Sequence, residues 1–131
     1  MTANPKDIVE AWTGENEIIW LRFNETGQHG IDEAKCVVDA HEQISGPTKV
    51  RIMSDLRGLK TGADRHARAY YISEQAARYK LCMAMLVGSP LQKIIGNIFI
   101  RVSRPPYPTK LFTTEEDANL WLMSFPQTPA A

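Results

Sequence analysis

Apolar residues along this chain change spacing several times, and each change marks an element. Ile8 to Trp12 and Glu17 to Phe23 are short runs with bulky members, Trp12, Ile18, Trp20 and Leu21. Thr13-Gly14-Glu15-Asn16 joins them, and that short glycine-bearing spacing predicts a hairpin. After a polar loop over Asn24 to Gly30, the period becomes helical, with Ile31, Ala34, Val37, Val38, His41 and Ile44 on one stripe. Asp32 and Glu33 suit the positive end of that helix, and Gly46-Pro47 stops it. Val50, Ile52 and Met53 form a central strand that runs into a charged turn at Asp55, Arg57 and Gly58.

A helix is predicted from an N-cap at Asp64 to about Tyr79. It carries two apolar stripes on nearly opposite sides, one through Ala67, Tyr70 and Tyr71, the other through Ala69, Ile72 and Ala76. Leu81 to Val87 reads as a buried parallel strand. Ser89 as N-cap with Pro90 behind it opens the next helix, which bears Leu91, Ile94, Ile95, Ile98 and Val102 on one face. Phe99 and Ile100 widen that face beyond what a solvated helix needs, so another element, a ligand or a second subunit is expected to cover it. Pro105-Pro106-Tyr107-Pro108 ends the helix, and Lys110 to Phe112 is a last strand. Thr113-Thr114-Glu115-Glu116 reads as a capping box before a helix with Ala118, Trp121, Leu122 and Phe125 at core spacing. The order implies one α/β domain over 1–131, with its core at about 7–125. Its sheet is mixed and mostly parallel, with five strands and about four helices.

Composition narrows the function classes. Fifteen basic and fifteen acidic residues cancel, which removes the footprint of a general nucleic-acid binder. No run is long and apolar enough to span a membrane, and Met1 to Asp7 shows no signal-peptide pattern. Two cysteines, Cys36 and Cys82, read as buried thiols of a reducing cytoplasm. His29, His41 and His66 are scattered, with no metal-ligand spacing, and Asp64 and His66 at i, i+2 diverge on a helix. No Gly-x-Gly-x-x-Gly or Walker sequence occurs. No enzyme activity, cofactor or metal is expected.

Three stretches resemble a family. They are Ser54-Asp55-Leu56-Arg57-Gly58-Leu59-Lys60, then Leu86-Val87-Gly88-Ser89-Pro90 with Ile95-Gly96-Asn97, and Pro105-Pro106-Tyr107-Pro108-Thr109-Lys110-Leu111-Phe112. Together with the element order they are similar to the sulfate-transporter and anti-sigma-factor-antagonist (STAS) domain. The closer likeness is to small bacterial STAS/SEC14-like proteins of uncharacterised function. The resemblance implies a STAS-like fold and a regulatory, protein-binding role. Antagonists of that family bind a partner kinase through the loop after the central strand, and a serine or threonine opening the next helix is phosphorylated. This chain departs from that pattern: Gly62-Ala63-Asp64-Arg65-His66 stands there, and Thr61 is the hydroxyl of the turn.

The expected partner-binding surface is therefore Asp55, Arg57, Lys60, Thr61, Asp64 and Ser89. The free N–H groups near Asp64 and Ser89, with Arg57 and Lys60, make a small anion a second candidate there. Tyr70, Tyr71, Ile95, Phe99 and Ile100 are the expected dimer or ligand surface. The first expectation is a non-enzymatic interaction module forming a homodimer. The alternative is a carrier of a lipid or other apolar small molecule, held in a groove beside Tyr70, Tyr71 and the Leu91 to Val102 helix.

Overall fold

A computed structural model of the chain describes residues 8–24, 29–59 and 62–126, apart from the side chain of Phe99. Lys60, Thr61 and most of the polar loop after Asn24 lie outside the described residues. Strand β1 (Val9–Thr13) turns through a 3-10 segment (Glu15–Glu17) into β2 (Ile19–Phe23), and the two pair antiparallel as a hairpin. Next come α1 (Ile31–Ser45), β3 (Val50–Asp55), α2 (Arg65–Tyr71), α3 (Glu74–Ala77) and β4 (Lys80–Leu86). The chain closes with α4 (Pro90–Ser103), β5 (Thr109–Phe112) and α5 (Glu115–Met123). The sheet order is β1-β2-β3-β4-β5, and every pairing after the hairpin is parallel. The fold is the expected mixed α/β sheet, with five α-helices among the described residues in place of about four.

The difference lies between Asp64 and Tyr79, where one helix was expected and two short ones occur. Asp64 does cap the first, its carboxylate accepting from the Ala67 N–H at 2.9 Å. Ser73 then interrupts the run, since its hydroxyl donates to the Tyr70 carbonyl at 2.6 Å and accepts from the Ala76 N–H. A serine that bonds backbone on both sides competes with helix continuation and starts a new N-cap. The break removes the conflict between the two apolar stripes: Ala67 and Ala76 are both fully buried, although they belong to opposite stripes of a continuous helix. A smaller correction concerns α5, whose N-cap is Thr114, accepting from the Asp117 N–H, one residue later than a box on Thr113.

The other helix ends follow from the sequence. Glu33 accepts from the Gly30 N–H at 3.0 Å at the start of α1, and Gly46, at φ +63°, closes that helix in a conformation that favours glycine. Ser89 caps α4 by accepting from the Gln92 N–H.

Two cores lie on the two faces of the sheet. On one face Ile18, Met53, Cys82, Ala84, Leu86 and Phe112 pack against Ala118 and Leu122 of α5. Arg51 fastens the end of that helix to the sheet through the Phe125 carbonyl at 2.8 Å. On the opposite face Ile19, Leu21, Phe23, Ile52 and Met83 meet Val37 of α1. Helix α1 covers the β1–β2 side of this face, and α4 lies over β5 at its far edge. At Gly96 the approach of α4 to β5 is so close that an added Cβ would stand 2.2 Å from a methyl of Leu111. All six residues of β3 are buried, as a central strand covered on both faces requires.

Candidate ligand-binding cavity

The corner after β3 is built as an internal tie. Asp55 is buried, and its carboxylate accepts two bonds from the Arg57 guanidinium, both at 2.9 Å, and one from the Arg57 N–H at 3.1 Å. Arg22 of β2 adds a contact at 3.3 Å, and Arg57 reaches on to Glu115 of α5 at 3.0 Å. The Arg57 bonds hold the Asp55 carboxyl below its usual range, against the opposing effect of burial. Among the described residues of the turn itself, Arg57, Gly58, Gly62 and Asp64 are exposed. At the start of α4 two donors are taken up locally: Gln92 folds back to accept from the Gly88 N–H at 2.8 Å while Ser89 serves the Gln92 N–H. Asp64 spends its carboxylate on α2.

Among the described residues, an apolar opening lies elsewhere, on the sheet face between α1 with α2 on one side and α4 on the other. There the helices leave a cavity of about 470 Å³. Leu21, Met83, Met85 and Leu111 form its apolar floor on the sheet. Tyr71 and Ile72 of α2 make one wall, and Ile95, Gly96 and Ile100 of α4 make the other. Leu59 and Ala63, from the turn after β3, reach one end, and Lys80, Pro105 and Tyr107 reach the lining as well. The volume falls within the ~300–1,000 Å³ range of small-molecule sites, and such a lining of apolar walls with few polar groups is their usual character.

Few polar side chains face this space. His29 touches the Tyr71 hydroxyl through Nε2 at 2.5 Å and stacks on Phe23. Burial lowers the His29 pKa, which Glu33 and Asp64 offset in part, and it raises the Tyr71 phenol well above its ordinary value. Ser54 supplies a hydroxyl on the floor. At the N-terminal end of β4, Lys80 is 5% exposed, with Nζ 5.5 Å from the Tyr71 ring centre and 5.4 Å from that of Tyr107. Burial lowers its pKa from 10.5 to about 8, against a weaker opposing pull from Glu42. Beneath it, His41 is fully buried with neither ring nitrogen hydrogen-bonded. Burial, followed by the nearby Lys80 charge, lowers the His41 pKa to about 4, and the Tyr79 backbone and Glu42 offset this only in part.

Of the expected dimer or ligand surface, Tyr71, Ile95 and Ile100 do line the cavity. Tyr70 does not; it turns toward Lys35, whose Nζ lies 6.0 Å from its ring centre. The Phe99 side chain is outside the described residues. Lys80, Tyr107, Met83, Met85 and Ser54 were missed by sequence reasoning as site residues. A strand reading that starts at Leu81 leaves Lys80 in a connector, although a lysine abutting an apolar strand is a visible signal. Both thiols are raised by burial, Cys82 to about 11, and neither forms a disulfide. Among the described residues, no cluster of metal-ligating side chains occurs and no helix is long and apolar enough to cross a membrane.

The mixed, mostly parallel five-stranded sheet flanked by helices makes this an α/β fold of the SpoIIAA-like kind. The structure of an uncharacterized protein of the DUF3478 family from Shewanella loihica PV-4, with a SpoIIAA-like fold, is similar to it with a TM-score of 0.62. That likeness covers 87% of this chain and 91% of the other at 14% identity, so it speaks to the fold alone. A protein with unknown function from Arthrobacter sp. FB24 is 27% identical over 87% of this chain and 98% of its own, with a TM-score of 0.33. No curated protein matches. Residues 12–126 match the family described as Domain of unknown function (DUF7793), and the chain belongs to that family.

Proposed function

We propose that this chain is a non-enzymatic binding protein for an apolar small molecule, which it holds in the cavity over the sheet. The observation that carries the reading is the unfilled apolar space between α4 and the α1–α2 pair. Folded interiors close-pack, so a void of this size beside well-packed cores is a retained feature. Ser54 has no hydrogen bond to a histidine or carboxylate among the described residues, which favours holding a molecule over reacting with it. Delipidated protein titrated with Nile red, a neutral polarity-sensitive dye, should show saturable one-to-one binding. Met85→Trp, which fills the floor, should weaken that binding at least tenfold while the circular dichroism stays unchanged. Absence of saturable binding, or equal binding by the filled variant, would overturn the reading.

A second reading, the homodimeric interaction module, draws support from a different surface. Leu91, Ile94, Ile98 and Val102 of α4 are 59–77% exposed and form one contiguous stripe beside the cavity. A stripe of that kind is a common mark of a protein contact. Sedimentation at tens of micromolar (on the order of a typical assay) should then give a doubled mass that Ile98→Asp returns to the monomer.

A further inference from the structure

Within that binding reading, we infer that the ligand is an amphiphile with a single carboxylate head, which Lys80 holds at one end of the cavity between the rings of Tyr71 and Tyr107. The inference begins with a missing partner. Lys80 is 5% exposed and lines the cavity, yet its ammonium makes no hydrogen bond and has no carboxylate within ion-pair distance among the described residues. Lysines are almost never buried without a partner. The nearest acid, Glu42 on α1, is committed to Arg78, which it meets at 2.8 and 3.4 Å. His41, also on α1, supplies no negative charge, and Tyr71 and Tyr107 offer only their ring faces. The tyrosine rings attract a cation but accept no hydrogen bond from its three N–H donors, which are left to the cavity that Lys80 lines. The site is one monoanion short.

Geometry fixes the rest of the ligand. From Lys80 the floor runs along β4 through Met83 and Met85 to Val87, about 23 Å of strand at roughly 3.3 Å per residue. A charged group at one end of a long apolar trough suits a molecule with a head and an aliphatic tail. The head is a carboxylate because a single ammonium meets it. Phosphate sites more often recruit arginine forks or helix N-termini, and the arginine of this lining, Arg68, is bonded to the Ala63 carbonyl at 2.8 Å, at the turn end of the cavity. The N-termini of α2 and α4 follow the carboxyl ends of β3 and β4, at the other end of the strands from Lys80. The hydroxyl of Tyr107, which has no hydrogen bond among the described residues, is a second donor on the ring that faces the lysine.

Isothermal titration of delipidated protein with dodecanoate and dodecanol at pH 7 tests this. The acid should bind at least tenfold more tightly than the alcohol. Lys80→Met should remove that difference by weakening the acid at least tenfold. Equal affinities for the two in the wild type, or undiminished binding of the acid by Lys80→Met, would overturn the inference while leaving the cavity reading in place. If neither compound binds, the cavity reading falls with it. Should Lys80→Met fail to fold, the acid-to-alcohol ratio of the wild type decides alone.

Discussion

Replacing Lys80 by methionine should make the empty protein more stable, and the size of the gain follows from the burial of the charge. In the fold the Lys80 ammonium gives up its proton at about 8, compared with 10.5 for the free side chain. At about 1.4 kcal/mol per pH unit, holding the charged form inside costs about 3 kcal/mol. The unfolded chain binds the extra proton between those two values, so stability rises as pH climbs from about 8 to about 10.5. Below about 8 the full penalty is present. Methionine has nearly the same length, carries no charge and packs readily against aromatic rings. Lys80→Met should therefore gain about 2–3 kcal/mol at pH 7, the lower figure allowing for the lost attraction of the two tyrosine rings. With a urea slope of about 1–3 kcal/mol/M, the midpoint should move up by about 0.7–3 M. Urea melts of delipidated wild type and variant at pH 7 and pH 10 supply the measurement. The two curves should approach each other at the higher pH. A variant less stable than the wild type at pH 7, or a gap that does not narrow as pH rises, would refute the account of Lys80 as an uncompensated buried cation. A side chain that weakens the fold and meets no partner is the kind of local conflict that marks a functional position.

Two further outcomes test the structure away from the cavity. Asp55→Asn should cost about 2 kcal/mol at pH 7, because a buried carboxylate loses its charge-assisted bonds to Arg57 and Arg22, discounted for the exposure of both arginines. The Asp55 pKa is depressed in the fold, so its contribution is present above about pH 4 and fades as pH falls through the lower folded value; urea midpoints of variant and wild type should converge in acid. His41 stays neutral in the fold down to about 4, so the wild type should lose about 3 kcal/mol as pH falls from about 6.5 toward 4. His41→Leu should abolish that loss and stabilise the protein by about 1–3 kcal/mol at pH 7 by removing two unpartnered buried nitrogens, as read by thermal melts across pH.

The elements were legible in the sequence wherever one local rule decided them. The helical stripe from Ile31 to Ser45, the Ser89-Pro90 start and the hairpin glycine each act within a few residues, and the structure has the corresponding elements. The reading failed where two local rules competed. Ser73 could sit within a helix or cap a new one, and packing of both Ala67 and Ala76 selected the cap. Asp55 reads as part of a solvated charged turn. Whether it meets water or Arg57, Arg22 and, through Arg57, Glu115 depends on the ends of β2 and β3 coming together beside α5.

By itself, the sequence determined the alternation of strands and helices, the mixed sheet, and a broad apolar face on α4 that demanded an explanation. Only the tertiary structure decided where that face points. Gly96 and Ile100 face the cavity, Ile95 borders it while 59% exposed, and Leu91, Ile94, Ile98 and Val102 face solvent. The same holds for Lys80. Strict alternation from Cys82 and Ala84 would put Lys80 on the α5 side of the sheet. Opposite β3, however, Val50 pairs with Lys80 and Arg51 with Cys82, so Leu81 is an extra residue. One inserted residue reverses the side of the sheet that a side chain faces. That shift turns Lys80 into the cavity, and no pattern along a single strand records it, because register belongs to the pair.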